Sequence, residues 1–184
     1  GQYQHDMPPK RLDEALAGAG SWNALKAEIT FKGGGLTHKS ADGDAKVFGY
    51  NKAKFHNEIL RFDTVLEFKS VDKWQGFMIR ARNTQNVPWT ENNNYLIVIT
   101  ENQIELQRFG YKHAFLAVKP TPFNSGERVS IEYGAINTEE GVQLILRVNG
   151  VTVFDVVDTD DAAIKDEGYF SIYNPNSISV LPFT

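Results

Sequence analysis

The stretch WQGFMIRAR (Trp74–Arg82), a polar loop, NYLIVIT (Asn94–Thr100) and QIELQRF (Gln103–Phe109) decides how this chain folds. It reads as three strands, the last two joined by a tight turn at Glu101-Asn102. A strand sends alternate side chains to opposite faces. One face should therefore carry Phe77, Ile79, Ala81, Ile104 and Leu106. The other should carry Met78, Arg80, Arg82, Glu105 and Gln107.

Working outward, the same alternation recurs almost everywhere after Trp22. The spacing predicts strands over 25–31, 35–39, 46–50, 57–69, 75–83, 94–100, 103–109, 114–119, 128–133, 142–148, 151–157, 168–173 and 177–181. In the long segment 57–69 the set Leu60, Phe62, Thr64, Leu66 and Phe68 is the one expected inside. Turn signals separate the strands: Gly33–Gly35, Asp42-Gly43, Asn124–Gly126, Asn149-Gly150 and Asn174-Pro175. Asn-Gly between apolar runs is the strongest of these, because both central residues of the tight hairpin turn need positive φ. Many short strands with frequent turns predict an all-β fold, a jelly-roll sandwich of two antiparallel sheets. Residues 1–23 differ: Pro8-Pro9 followed by KRLDEAL (10–16) predicts a short helix in a linker, stopped at Gly18–Gly20. The expected division is thus an N-terminal segment, 1–23, and a sandwich domain, 24–184.

Composition narrows the function. The 184 residues are 41% hydrophobic, enough for one domain with a real core. The net charge of −4 carries no sign of a nucleic-acid footprint. No apolar run approaches the roughly 20 residues of a membrane span. There is no cysteine, which removes disulfides, thiolate catalysis and cysteine-ligated zinc. The sequence starts at Gly1 without a signal-peptide pattern and is expected to be a piece or processed form of something longer.

Several side chains are candidates for binding. Arg80, Arg82, Glu105 and Gln107 form a hydrogen-bonding cluster of the kind that holds sugar hydroxyls or carboxylates. Cross-strand pairing on a solvated face explains them as well. Trp89, in a polar loop after Pro88, could stack on a pyranose or anchor its loop to the core edge. Tyr95 and Tyr173 could be ligand contacts or core residues. Asp155, Asp158, Asp160 and Asp161 form an acidic patch. A solvated turn accounts for it more simply than calcium, since no EF-hand pattern is present. The histidines are scattered, without zinc-site spacing. No Glu-x-Asp-x-x-Glu pair, nucleophile elbow or phosphate loop occurs.

The order of a long alternating strand (59–68), GFMIR (76–80), YLIVI (95–99), the hairpin ILRVNGVTVF (145–154) and GYFSIY (168–173) resembles the concanavalin A-like, or laminin-G-like, jelly roll. More narrowly it resembles carbohydrate-binding modules of secreted bacterial glycanases, including levan-binding modules, and is similar to domains of 3-keto-disaccharide hydrolases. The resemblance covers roughly residues 25–183. It implies a non-catalytic module binding polysaccharide or oligosaccharide on a concave sheet face, within a larger secreted or cell-surface protein alongside flanking modules. The implied ligand-binding residues are Arg80, Arg82, Trp89, Tyr95, Glu105, Gln107 and Tyr173; a structural calcium is the one cofactor it allows. A glycoside hydrolase of the 3-keto type and a structural or adhesion spacer are the alternatives.

Overall fold

The computed structural model describes residues 8–11, 22–24, 27–32, 35–40, 46–68, 74–84, 89–174 and 178–182. In chain order the strands are β1 (Lys10–Arg11), β2 (Trp22–Ala24), β3 (Ala27–Lys32), β4 (Gly35–Ser40), β5 (Lys46–Tyr50), β6 (Glu58–Val65), β7 (Gln75–Ala81) and β8 (Asn94–Ile99). They continue as β9 (Gln103–Phe109), β10 (Ala114–Pro120), β11 (Arg128–Asn137), β12 (Val142–Val148), β13 (Val151–Asp158), β14 (Tyr169–Asn174) and β15 (Ile178–Pro182). A single 3-10 turn, Trp89–Glu91, is the only helical element among the described residues.

Two sheets form the sandwich. Sheet A runs β1-β6-β11-β12-β13, and sheet B runs β10-β9-β8-β7-β14-β5-β2. A third sheet, β15-β4-β3, lies beside them, with β15 against β6. Pairing is antiparallel except where β1 meets β6. The helix expected to open at residue 10 is not what forms there: Lys10 and Arg11 pair with Leu60 and Arg61 as a strand. Residues 12–16 of that expectation lie outside the described residues, as do the turns at 33–34 and 42–43. Trp22–Ala24 pairs with β5, so this part of the N-terminal segment belongs to sheet B.

The alternation in the sequence is what builds the core. Leu60, Phe62, Tyr133, Ile131, Leu144, Leu146 and Phe154 of sheet A meet Phe77, Ile79, Ile97, Ile104, Leu106, Phe170 and Ile172 of sheet B. Thr64 and Leu66 are buried on the same side. Each such side chain contributes about 1.5–3 kcal/mol by leaving water. The opposite parity of β6 is not simply wet: Ile59, Ile136 and Ile145 form a small buried cluster on sheet A's outer face. The hairpin at Asn149-Gly150 has φ of 51° and 79°, as its sequence requires. Thr100 donates its N–H to Gln103 O at 2.9 Å, closing the Glu101-Asn102 turn.

Candidate functional site

The site is set by one irregularity in β7. Tyr169 pairs with Ala81 and Ser171 with Met78, so Ile79 and Arg80 together face the single residue Phe170. Arg80, at φ 56°, is the extra residue of this bulge. A bulge re-aims the side chains that follow it. Arg80 consequently leaves the face of Met78 and turns in between the ends of the two sheets. The residue is 3% exposed. Nη1 donates to Asn137 Oδ1 at 2.7 Å and Ile164 O at 2.9 Å. Nη2 donates to His56 O at 3.0 Å, Ala135 O at 3.2 Å and Asn57 Oδ1 at 3.3 Å. One side chain thus ties β7 to β11 and to the loops 51–57 and 159–168. Every one of these acceptors is neutral. Burial lowers the Arg80 pKa to about 10, opposed by the charges of the Tyr95 phenol and Asp166.

Around Arg80 the loops leave an open depression of about 780 Å³. Lys54 and His56 enter from the β5–β6 loop, Arg82 from the end of β7, and Asn93 from the start of β8. Asn137 closes β11, and Ile164 to Glu167 come from the β13–β14 loop. Among the described residues Ile164 is the sole apolar one lining it. His56 Nε2 lies 3.0 Å from Lys165 O, and Asn137 Nδ2 donates to the same oxygen at 3.0 Å. Lys54 Nζ sits 5.4 Å above the Tyr169 ring. Such a surface offers many directional donors and acceptors and little apolar area, which suits a polyhydroxylated or charged ligand rather than an apolar one.

A buried polar chain beneath the depression holds its β13–β14 wall. Arg108 Nη1 donates to both carboxylate oxygens of Asp158 at 2.7 Å. Both side chains are 2% exposed. The Tyr95 hydroxyl donates to Asp158 Oδ2 at 2.7 Å and accepts the Ile164 N–H at 2.9 Å. The Tyr133 hydroxyl donates to Tyr95 O at 2.9 Å. Burial and the bond to Asp158 push the Tyr95 phenol well up. Arg108 was absent from the sequence candidates. Its signal was parity: it shares a face with Ile104 and Leu106, as Asp158 does with Phe154 and Val156, and an inward arginine requires an inward acid.

The predicted site residues therefore occupy three places. Arg80 and Arg82 meet at the depression. Tyr95 is fully buried in the core between the sheets. Glu105, Gln107, Trp89 and Tyr173 lie on the outer face of sheet B. There Gln103 Nε2 and Gln107 Nε2 donate to the two oxygens of Glu105 at 2.7 and 3.0 Å. His113 Nε2 is 2.7 Å from Gln107 Oε1. Phe115, 61% exposed, pairs with Gln107. Trp74 stacks on Tyr173 with centroids 3.7 Å apart, and Trp89 meets both rings edge-on. Trp89 is thus packed into an aromatic group with Met78 and Phe109 rather than standing free.

The acidic patch is solvated in part: Asp155 and Asp161 are exposed and Asp160 partly so, while Asp158 is buried. Asp158 faces Arg108, Asp160 pairs with Lys112 at 3.0 Å, and Asp155 accepts from Gln143 at 2.7 Å on the opposite parity of β13. These carboxylates do not converge, and no cluster of metal-ligating side chains occurs among the described residues. The residues present do not fit a calcium ion here.

No family model and no curated protein matches the chain. Solved structures do match in fold. A carbohydrate-binding module CBM66 from Bacillus subtilis aligns over 96% of both chains at 12% identity, with a TM-score of 0.64. The Emp46p carbohydrate recognition domain, in its potassium-bound form, covers 88% of this chain and 85% of its own at 9% identity, TM-score 0.63. A glycoside hydrolase family 16 endo-glucanase from Bacteroides ovatus covers 92% and 84% at 9% identity, TM-score 0.61. At these identities the likeness establishes architecture: the chain has the concanavalin A-like jelly-roll fold that sugar-binding domains use.

Proposed function

We propose that this chain is a non-catalytic carbohydrate-binding module of a larger secreted or cell-surface polysaccharide-degrading protein. The observation that carries the reading is the open, hydrogen-bonding depression built on the immobilised Arg80. A floor immobilised at Arg80, with Arg82, Asn93 and His56 at its rim, offers planar donors and acceptors at reduced ordering cost, which is how weak hydroxyl contacts yield useful affinity. The fold it shares with a carbohydrate-binding module and a lectin domain supports the same reading. So does the outer face of sheet B. Its row Gln103, Glu105, Gln107, with exposed Phe115 beside it, leads towards Gly110, which packs on Asn93 at the depression. A longer glycan chain would run along that row. On the strands of this face Glu105 is the one carboxylate among the described residues, and two amides occupy it; the depression adds Asp166 and Glu167, so the product-release assay carries the non-catalytic part of the reading.

The test is affinity electrophoresis through gels containing fructan, β-glucan, or an acidic polysaccharide, paired with a reducing-sugar assay. Retention by at least one polymer without product release is expected. Free migration through every gel refutes sugar binding, and release of sugar refutes the non-catalytic role.

A further inference from the structure

We propose that the depression at the end of the sandwich selects an anionic saccharide, one bearing a carboxylate or sulfate group, with Arg82, Lys54 and Lys165 meeting the charge over Arg80. This rests on the sugar-binding reading above and specifies its ligand. The first argument is charge. Four cationic side chains, Lys54, Arg80, Arg82 and Lys165, face two carboxylates, Asp166 and Glu167, in a protein whose net charge is −4. Positive charge is concentrated here against the sign of the whole. The second argument is what those cations touch. Lys54, Arg82 and Lys165 form no ion pair among the described residues, although Lys10, Lys112, Arg128 and Arg147 elsewhere do. Lys54 instead lies over a tyrosine ring, which leaves its charge available.

The third argument is Arg80 itself. Arg108, the other buried arginine among the described residues, has a carboxylate at 2.7 Å. Arg80 has only carbonyl and amide oxygens, and its Nε is buried without a partner. A buried cation whose hydrogen-bond acceptors are all neutral is compensated only in part, by the charge of Asp166, and burial lowers its pKa. An anion entering the depression supplies the missing charge where water is partly excluded and the interaction is strong. A neutral sugar would gain hydrogen bonds but leave the field unanswered.

The experiment is titration calorimetry of the intact chain with four probes: a galacturonate oligomer, a sulfated galactan oligomer, a neutral fructan or glucan oligomer, and a single-stranded oligonucleotide of matching charge. The expected result is tighter binding of one or both acidic oligosaccharides than of the neutral ones. It should weaken roughly tenfold between low and high salt. Arg82→Ala and Lys54→Ala, both at exposed positions, should each weaken it roughly fivefold with unchanged melting temperature. Whichever acidic probe binds identifies the group. Tighter binding of the neutral oligomer, or equal binding of the oligonucleotide, overturns this inference and leaves the sugar-binding reading in place. No binding of any saccharide overturns both.

Discussion

Replacing Gly168 with alanine tests the floor of the depression directly. Gly168 bridges Phe55, with N–H···O contacts of 2.7 and 2.9 Å in the two directions. Its open face lies on the bulge. A Cβ there would stand 2.3 Å from Arg80 C, 2.5 Å from Arg80 Cα and 2.7 Å from Ala81 N. Carbon atoms rest at about 3.5–4.0 Å, so the two backbones must part by roughly 1 Å. All three atoms are main chain, and no side-chain rotation relieves the overlap. Overpacking of this kind costs about 3 kcal/mol at the upper end of its usual range. With an unfolding entropy near 2.1 cal/mol/K per residue, that lowers Tm by roughly 8 °C for a chain of this length. The displaced segment carries Arg80, so retention on the polysaccharide gel should fall as well. Differential scanning calorimetry of Gly168→Ala provides the measurement, beside Gly126→Ala, which has open space around it but a φ of 80° and so gauges the cost of backbone strain alone, about 1–2 kcal/mol. A Gly168→Ala Tm within 2 °C of the parent would refute the claim that this contact fixes the bulge.

Other outcomes follow from the buried polar chain and the outer face. Asp158→Asn leaves the buried Arg108 charge with only the partly exposed Asp160 carboxylate, 3.9 Å away, and should cost about 3 kcal/mol, read as a lowered urea midpoint. Tyr95→Phe removes one hydroxyl and leaves the Ile164 N–H unsatisfied; about 1–3 kcal/mol is expected, less than for Asp158→Asn in the same assay. Stability should hold up to about pH 10 and fall between about 10 and 12. Burial pushes Tyr173 up to about 12 and raises Tyr50, Tyr95 and Tyr133 as well, so the unfolded chain ionises them first. Arg80 has the opposite sign, since its lowered pKa lets the unfolded chain keep the proton longer, but one such group opposes four. A urea midpoint at pH 11.5 equal to that at pH 8 would count against this. Phe115→Ser should leave Tm unchanged and weaken retention of long polymers more than binding of short oligosaccharides.

Much of the sandwich was legible because its physics is local. The Asn149-Gly150 turn, the parity of Leu60, Phe62 and Thr64, and the bounds of β9 follow from positive φ and period-two burial. The candidate site was legible only in part. Parity places Arg80 and Arg82 on the face of Glu105 and Gln107 because a bulge leaves no trace in a period-two count; its partner is Phe170, ninety residues away. Tyr95 could not be placed by parity, since NYLIVI is apolar on both faces and the structure buries all of β8. At the N-terminus, helix-forming residues gave way at Lys10 and Arg11 to the free edge of β6, where pairing satisfies backbone groups that propensity does not see.

The Tyr133–Tyr95–Asp158–Arg108 chain alternates between the sheets: Tyr133 and Asp158 belong to sheet A, Tyr95 and Arg108 to sheet B. Apolar side chains can slide past one another at nearly constant area, but these bonds exist at one offset only. The chain therefore acts as an alignment pin between two otherwise slippery layers. Exchanging all four residues for apolar ones of equal volume could preserve melting temperature while letting the sheets settle in more than one relative position. The loops of the binding end spring from both sheets, so a loss of alignment would reach the ligand before it reached the stability.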